Sequence, residues 1–429
     1  MSVVGSSESA LPALQMDQTT PRDETIATPK TTRVALGVLA LCFVFSVLGR
    51  GLSDSFTVFL KPISESFGWD RAEAVSVYSL AWLASGLTAP LVGRLFDRSG
   101  PRVVYALGLL LLGCAFLVAA HAQALWQFRL SVGLCVGFGT ALIGNVSNSI
   151  LLGRWFGPRL PTAMALIYSA MGAGLLILLP LSQVLIDRIG WRSAYEVFGT
   201  SALCLLVPLL LLPWRRLARG SPHVVRKAGP GVVDEGWTLL SAMRHHAFWA
   251  LFSTFFFTAV AMYALTAQIV AYLIDVGFPP LQAATAWGFS GVALFVGMLG
   301  VSTLDGIIGR RPSVLFSYGI SIVGIILLWL LQWYPNYWLL TGFIICFGSM
   351  IGSRGPLITA TALKIFRGER VGTIYGTIMI GSGLGSGLGS WSGGLIHDWT
   401  HSYNPLIVFA LVNVVLGMIP FLVVPALRR

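Results

Sequence analysis

Four ionisable side chains lie inside long apolar stretches of the sequence: Arg50, Asp54, Arg129 and Arg354. An ionisable group in hydrocarbon costs about 2.5–3.5 kcal/mol on insertion scales, so each needs a partner or a watery cavity. Arg50 and Asp54 stand at i, i+4, share a helix face and can pair. Two uses of that pair are open: a static ion pair that permits insertion, or a switch in which Asp54 takes up a proton and frees Arg50 for an anion. Arg354 sits in Gly352-Ser353-Arg354-Gly355-Pro356, where Pro356 removes the helical hydrogen bond to the carbonyl of Gly352. A broken helix beside a guanidinium can cradle a carboxylate. The alternative is that Arg354 pairs with a neighbouring helix or snorkels. Arg129 is shallow enough to snorkel, or serves proton coupling. Tyr78, Trp82, Asn145, Asn148, Tyr263 and Gln268 can complete a cavity or bind helices to one another. The expectation is substrate binding by Arg354, Arg50, Asn145, Asn148 and Tyr78, and proton coupling by Asp54 and Arg129.

The elements that must hold these groups are membrane-spanning helices. Of 429 residues, 55% are hydrophobic and 10% charged, against about 25% charged in a soluble protein. Mean hydropathy is +0.79. Twelve apolar runs can be read at 34–60, 74–92, 103–120, 125–152, 162–186, 193–212, 247–273, 281–304, 313–331, 337–363, 372–396 and 406–426. The first is the weakest, because Arg50, Ser53, Asp54 and Ser55 interrupt it. Residues 1–32 are polar, without a secretory signal, and read as a disordered cytoplasmic tail. Residues 214–246 read as a basic cytoplasmic linker between six-helix bundles at 33–213 and 247–429. With both termini inside, the inner segments hold 21 Lys and Arg and the outer loops 4, which fixes that orientation. The net charge of +11 then faces anionic lipid, and nucleic acid is excluded as a partner. The five cysteines fall within apolar runs and read as small buried hydrophobes. The six histidines lie in loops or the linker and form no metal cluster, and no cofactor is expected.

The chain also repeats itself. Arg154-Trp155-Phe156 matches Lys364-Ile365-Phe366, Gly172 and Gly174 match Gly383 and Gly385, and Gly100-Pro101-Arg102 matches Gly309-Arg310-Arg311, all at offsets of 209–211 residues. Ordered matches at one offset imply two homologous six-helix halves with a cavity between them at mid-membrane depth. The glycine run 381–389 has neither the lysine nor the α/β unit of a nucleotide loop, and reads as helix packing.

Gly93-Arg-Leu-Phe-Asp97-Arg98-Ser-Gly100-Pro-Arg102 resembles the signature between helices 2 and 3 of the major facilitator superfamily, and Arg129-x-x-x-Gly133 resembles a second one. The resemblance covers nearly the whole chain. It implies an all-α fold of twelve transmembrane helices in two pseudo-symmetric bundles. It also implies a gating latch at Gly93, Asp97, Arg98 and Arg102, with a degraded second copy at Asp305, Arg310 and Arg311. Ser55-Phe-Thr-Val-Phe-Leu-Lys-Pro62 with Phe67-Gly-Trp-Asp-Arg71 is similar to the monocarboxylate and oxalate/formate branch. Two of that branch's charges are missing: run eight is uncharged until Asp305, and run eleven holds no lysine. The expected function is a secondary transporter, not an enzyme, moving a small organic anion with protons. It would act as a monomer in a bacterial inner membrane, its partners being that substrate, protons and the bilayer. The alternative is a transporter of a neutral or aromatic compound; a membrane receptor or enzyme is more remote.

Overall fold

The computed structural model describes residues 29–156, 160–218, 220, 237–366, 371–424 and 427. Residues 1–28 of the expected tail and 221–236 of the expected linker lie outside the described residues. Each apolar run coincides with a helix, and no strand occurs among the described residues. The helices are α1 (Pro29–Phe67), α2 (71–99), α3 (101–120), α4 (Leu125–Phe156), α5 (160–189), α6 (191–211), α7 (His246–Asp275), α8 (Pro280–Ile308), α9 (Arg310–Leu330), α10 (337–365), α11 (Val371–Thr400) and α12 (Asn404–Val423). The shorter ones, such as α12 with 20 residues, already span about 30 Å at 1.5 Å per residue.

Glycines make the tight turns. Gly100 (φ 78°) separates α2 from α3, Gly190 (φ 79°) separates α5 from α6, and Gly309 (φ 86°) separates α8 from α9. Gly100 and Gly309 are the matched glycines of the sequence repeat, and both need the left-handed conformation that a side chain disfavours. A second likeness joins α4 and α10. Each carries a π-helical segment, at Arg129–Cys135 and Ile344–Gly348, followed by a break, at Gly144 and at 351–353.

Helix α1 departs from expectation. Its polar residues do not interrupt it: the helix is continuous from Pro29 to Phe67. Arg50 and Asp54 neutralise one another, while the Ser55 and Thr57 hydroxyls donate to the carbonyls of Leu52 and Asp54, both at 2.8 Å. No polar group on this stretch needs to leave the helix to find a partner. The cysteines also differ, since only Cys42 is buried and Cys114 and Cys204 are exposed on the outside of the bundle. Small size lets a cysteine face lipid as readily as a core.

Two groups of buried side chains form the cores. One comes from residues 38–217 with Ala267 and Ala271, the other from 242–427 with Val58, Leu175 and Leu179. Glycine faces pack helices both within a half and between the two. On α11, Gly381, Gly385, Gly389 and Gly393 lie against Phe252, Phe256, Val260 and Ala264 of α7, a spacing of four on both helices. The opposite face presents Gly383, Gly387 and Gly394 to Gly86, Ser79 and Ala72 of α2. On the far side of the bundle Gly172 of α5 meets Gly291 of α8, where an added Cβ would stand 2.1 Å from a carbonyl oxygen. Backbones approach this closely only where both helices lack a side chain.

Gly172→Val will therefore force α5 from α8. We expect a monodisperse fraction well below wild type in size-exclusion chromatography, while Gly93→Ala, with nothing near its added Cβ, elutes as wild type.

Candidate functional site

The charged pair of α1 sits at the centre of the molecule. Arg50 Nε lies 2.5 Å from Asp54 Oδ2, with side chains 11% and 1% exposed. The two atoms meet off-axis, as an ion pair without an aligned hydrogen bond. The Tyr78 hydroxyl of α2 donates to the other oxygen, Oδ1, at 2.7 Å. Arg50 Nη1 donates to the Tyr263 hydroxyl of α7 at 3.3 Å, and the guanidinium carbon lies 4.9 Å from the centre of the Trp82 ring. Trp82 and Tyr263 pack ring on ring, 4.7 Å apart. The low dielectric strengthens these contacts and makes an unpaired charge there costly.

Arg50 also forms part of the wall of a cavity of about 270 Å³. The wall includes Ser46 and Ser53 of α1, Trp82 and Ser85 of α2, Thr140 and Asn145 of α4, and Met171 of α5. Gly144 breaks α4 at this cavity, with ψ −157°, which leaves Asn145 exposed at the wall. The arrangement is a guanidinium with hydroxyls and an amide about an aromatic face. Chemically it suits an anion with a partly apolar body.

The other expected residues lie elsewhere. Asn148 is fully buried and committed: its amide donates to Ser46 Oγ at 2.9 Å and its oxygen accepts from Tyr105 at 2.8 Å. It fastens α1, α3 and α4 to one another and lies outside the cavity wall. Arg129 donates from Nε to Ser76 Oγ at 3.0 Å, tying α4 to α2, and has no described contact with Asp54. Arg354 does begin a helix after the expected break, at 351–353. It is only 2% exposed and turns into α9, where Nε donates to Ser317 Oγ and Nη2 to the Ser317 carbonyl, both at 2.9 Å. Ser321 Oγ also accepts from Nη2, and the Tyr318 ring lies 4.1 Å from the guanidinium carbon. Hydroxyls, a carbonyl and a ring face hold Nε and Nη2 of this cation, while Nη1 is buried without a partner among the described residues. Arg354, expected to bind substrate, thus turns to α9 and lies outside the wall of the Arg50 cavity.

Of the expected gating groups, Gly93 is half-buried and Arg98 and Arg102 are exposed, while the Asp97 side chain lies outside the described residues. The second copy holds together better than its spacing implies. Arg310 reaches Asp305 at 3.4 Å and Thr361 of α10 at 3.1 Å, joining α8, α9 and α10. Arg311 is half-buried, its Nε without a partner.

A charged cluster that the sequence reading missed closes the end opposite the chain termini. Asp275, at the end of α7, accepts from Lys61 at 3.0 Å, Arg71 at 2.9 Å and Tyr403 at 2.7 Å. Asp398 of α11 accepts from the first backbone N–H groups of α2, Arg71 at 3.0 Å and Ala72 at 2.5 Å, where a helix N-terminus favours an anion. His397, expected in a loop, occupies the last turn of α11 beside Asp398. The available signal was charge sign. Lys61 and Arg71 are basic at an end where basic residues are rare, and acidic residues of later helices end at the same level.

Comparison with known proteins follows the same lines. The family model of the Major Facilitator Superfamily matches residues 39–389 and 307–429. The uncharacterized MFS-type transporter YcxA of Bacillus subtilis (strain 168) is 26% identical over 395 residues, covering 90% of this chain and 95% of its own. Monocarboxylate transporter 3 of Rattus norvegicus is 27% identical over 385 residues, covering 89% and 77%. Monocarboxylate transporter 12 of Mus musculus is 24% identical over 436 residues, covering 91% and 88%.

Arg354→Gln removes hydrogen bonds from a buried cation, worth about 1.5–3 kcal/mol each. The expected outcome is a clearly lower midpoint of thermal aggregation in detergent, with transport per folded molecule kept. Wild-type heat resistance would show that α9 does not depend on this contact.

Proposed function

Since the chain belongs to the Major Facilitator Superfamily and is a multi-pass membrane transporter of small molecules, we propose that its cargo is a small organic anion of the monocarboxylate class. The observation that carries this reading is the Arg50 guanidinium in a cavity wall, held by an acid of its own helix. Two relatives bear the name of monocarboxylate transporters, which favours the same class. Proton coupling follows from charge. The Arg50–Asp54 pair is neutral. A carboxylate that joins Arg50 beside Asp54 adds one surplus negative charge to a site where desolvation penalises it. Protonation of Asp54 removes that surplus, so anion and proton travel together as in a symporter, and the site stays neutral throughout.

Alternating access is supported by the asymmetry of the two ends. Lys61 and Arg71 of the first half clasp Asp275 of the second, while the cavity lies on the other side of Arg50, towards the chain termini. The bias of basic residues puts that end in the cytoplasm. The clasped end then faces outward, and this arrangement is the inward-facing member of the cycle. The units that rock are residues 33–213 and 247–429, joined by the linker at 214–246, and one chain in a bacterial inner membrane suffices. Exposed ion pairs contribute about 0.2–1 kcal/mol each, a size that closes a gate without locking it. A neutral aromatic cargo is the second reading, favoured by Phe45, Trp82 and Met171 in the same wall.

Uptake of labelled monocarboxylates into proteoliposomes tests the first reading. An inward proton gradient should accelerate it. Arg50→Gln should cut uptake roughly 30-fold or more, the counterpart of about 2 kcal/mol. Arg50→Gln liposomes that accumulate substrate normally would leave the neutral cargo as the surviving reading. Asp54→Asn should abolish the response to external acid. For the gate, Asp275→Asn should raise labelling of a cysteine at Ser53→Cys by an impermeant thiol reagent added outside; unchanged labelling counts against the clasp.

A further inference from the structure

Resting on that reading, we propose that Tyr263 is the second half's own ligand for the carboxylate bound at Arg50. The cavity wall comes entirely from residues 45–171, so the first half alone would hold the anion. Tyr263 changes that. Its hydroxyl oxygen accepts from Arg50 Nη1 at 3.3 Å. A phenol also carries a donor, and among the described residues no acceptor takes the Tyr263 proton. The side chain is only partly buried.

The guanidinium geometry says where that proton goes. Asp54 sits on the Nε side at 2.5 Å, and its second oxygen already accepts from Tyr78. No carboxylate of the described residues occupies the edge formed by Nη1 and Nη2. An anion seated there by two parallel N–H donors has one oxygen beside the atom that Tyr263 contacts, within reach of the free O–H. The Tyr263 carbonyl accepts from Ser390 of α11 at 3.4 Å, and Gly389 packs on Val260 one turn earlier. Tyr263 therefore moves with the second half. An anion bound by Arg50 from α1 and Tyr263 from α7 is held by both halves at once, and binding favours the arrangement in which they meet.

Tyr263→Phe keeps the ring against Trp82 and removes only the hydroxyl. Equilibrium binding of labelled benzoate and of two- to four-carbon monocarboxylates should weaken about 10- to 100-fold, the loss of a hydrogen bond to a charged group. The preference for each acid over its amide should fall by the same factor, which a packing role would leave unchanged. Wild-type affinity in Tyr263→Phe, with binding abolished in Arg50→Gln, overturns the role of Tyr263 and leaves the anion reading standing. Equal weakening for acid and amide overturns it as well. Full binding by Arg50→Gln removes the anion reading itself.

Discussion

A buried guanidinium needs partners for its charge and its donors, and in α1 the charge partner is an acid one turn along the same helix. Asp54 is nearly inaccessible and meets Arg50 off-axis, so the pair is strong in charge and weak in geometry. The rest of the site completes this pair. Tyr78 holds the Asp54 oxygen that Arg50 leaves free, and Trp82 covers the cation without competing for its donors.

The contrast with Arg354 shows why burial alone does not identify a binding residue. Both arginines are buried and both were expected to meet substrate. Arg354 is held by two serines, a backbone carbonyl and a tyrosine ring of α9, so its contacts belong to helix packing. Asn148 follows the same logic, with donors and acceptor all taken. A transported ligand must find polar groups that are either unspent or held by something it can replace. Arg50 and Asn145 meet that condition at the cavity wall; Asn148 does not, and Arg354 keeps only Nη1 unspent, outside that wall.

The contacts between halves have a common physical character. Gly86 against Gly383 and Gly172 against Gly291 bring backbones together without interlocking side chains. Such a seam loses little when the helices roll, because no large side chain must leave its pocket. The charged cluster at Asp275 adds ion pairs that are only partly buried, of a kind that contributes little to stability. Within the halves glycine contacts such as those of α11 on α7 recur, and the first half adds a large aromatic cluster of Phe59, Phe116, Tyr195 and Phe198.

Local rules made much of this legible in the sequence. Apolar runs imply spanning helices because backbone groups in hydrocarbon must bond internally. The i, i+4 spacing of Arg50 and Asp54 implies one helix face, and the glycines at 100 and 309 imply turns. The glycine run at 381–389 reads as packing for the same local reason. Partners on other helices were not legible. Nothing in the order of residues says that Arg354 meets Ser317 and Ser321, that Asn148 is saturated by Tyr105, or that Asp275 receives Lys61 and Arg71 from more than 200 residues away. Those outcomes depend on which faces of twelve similar cylinders are turned towards one another. Hydrophobicity drives every one of those cylinders into the bilayer alike; only tertiary packing decides which polar groups spend their hydrogen bonds on protein and which keep them for a ligand.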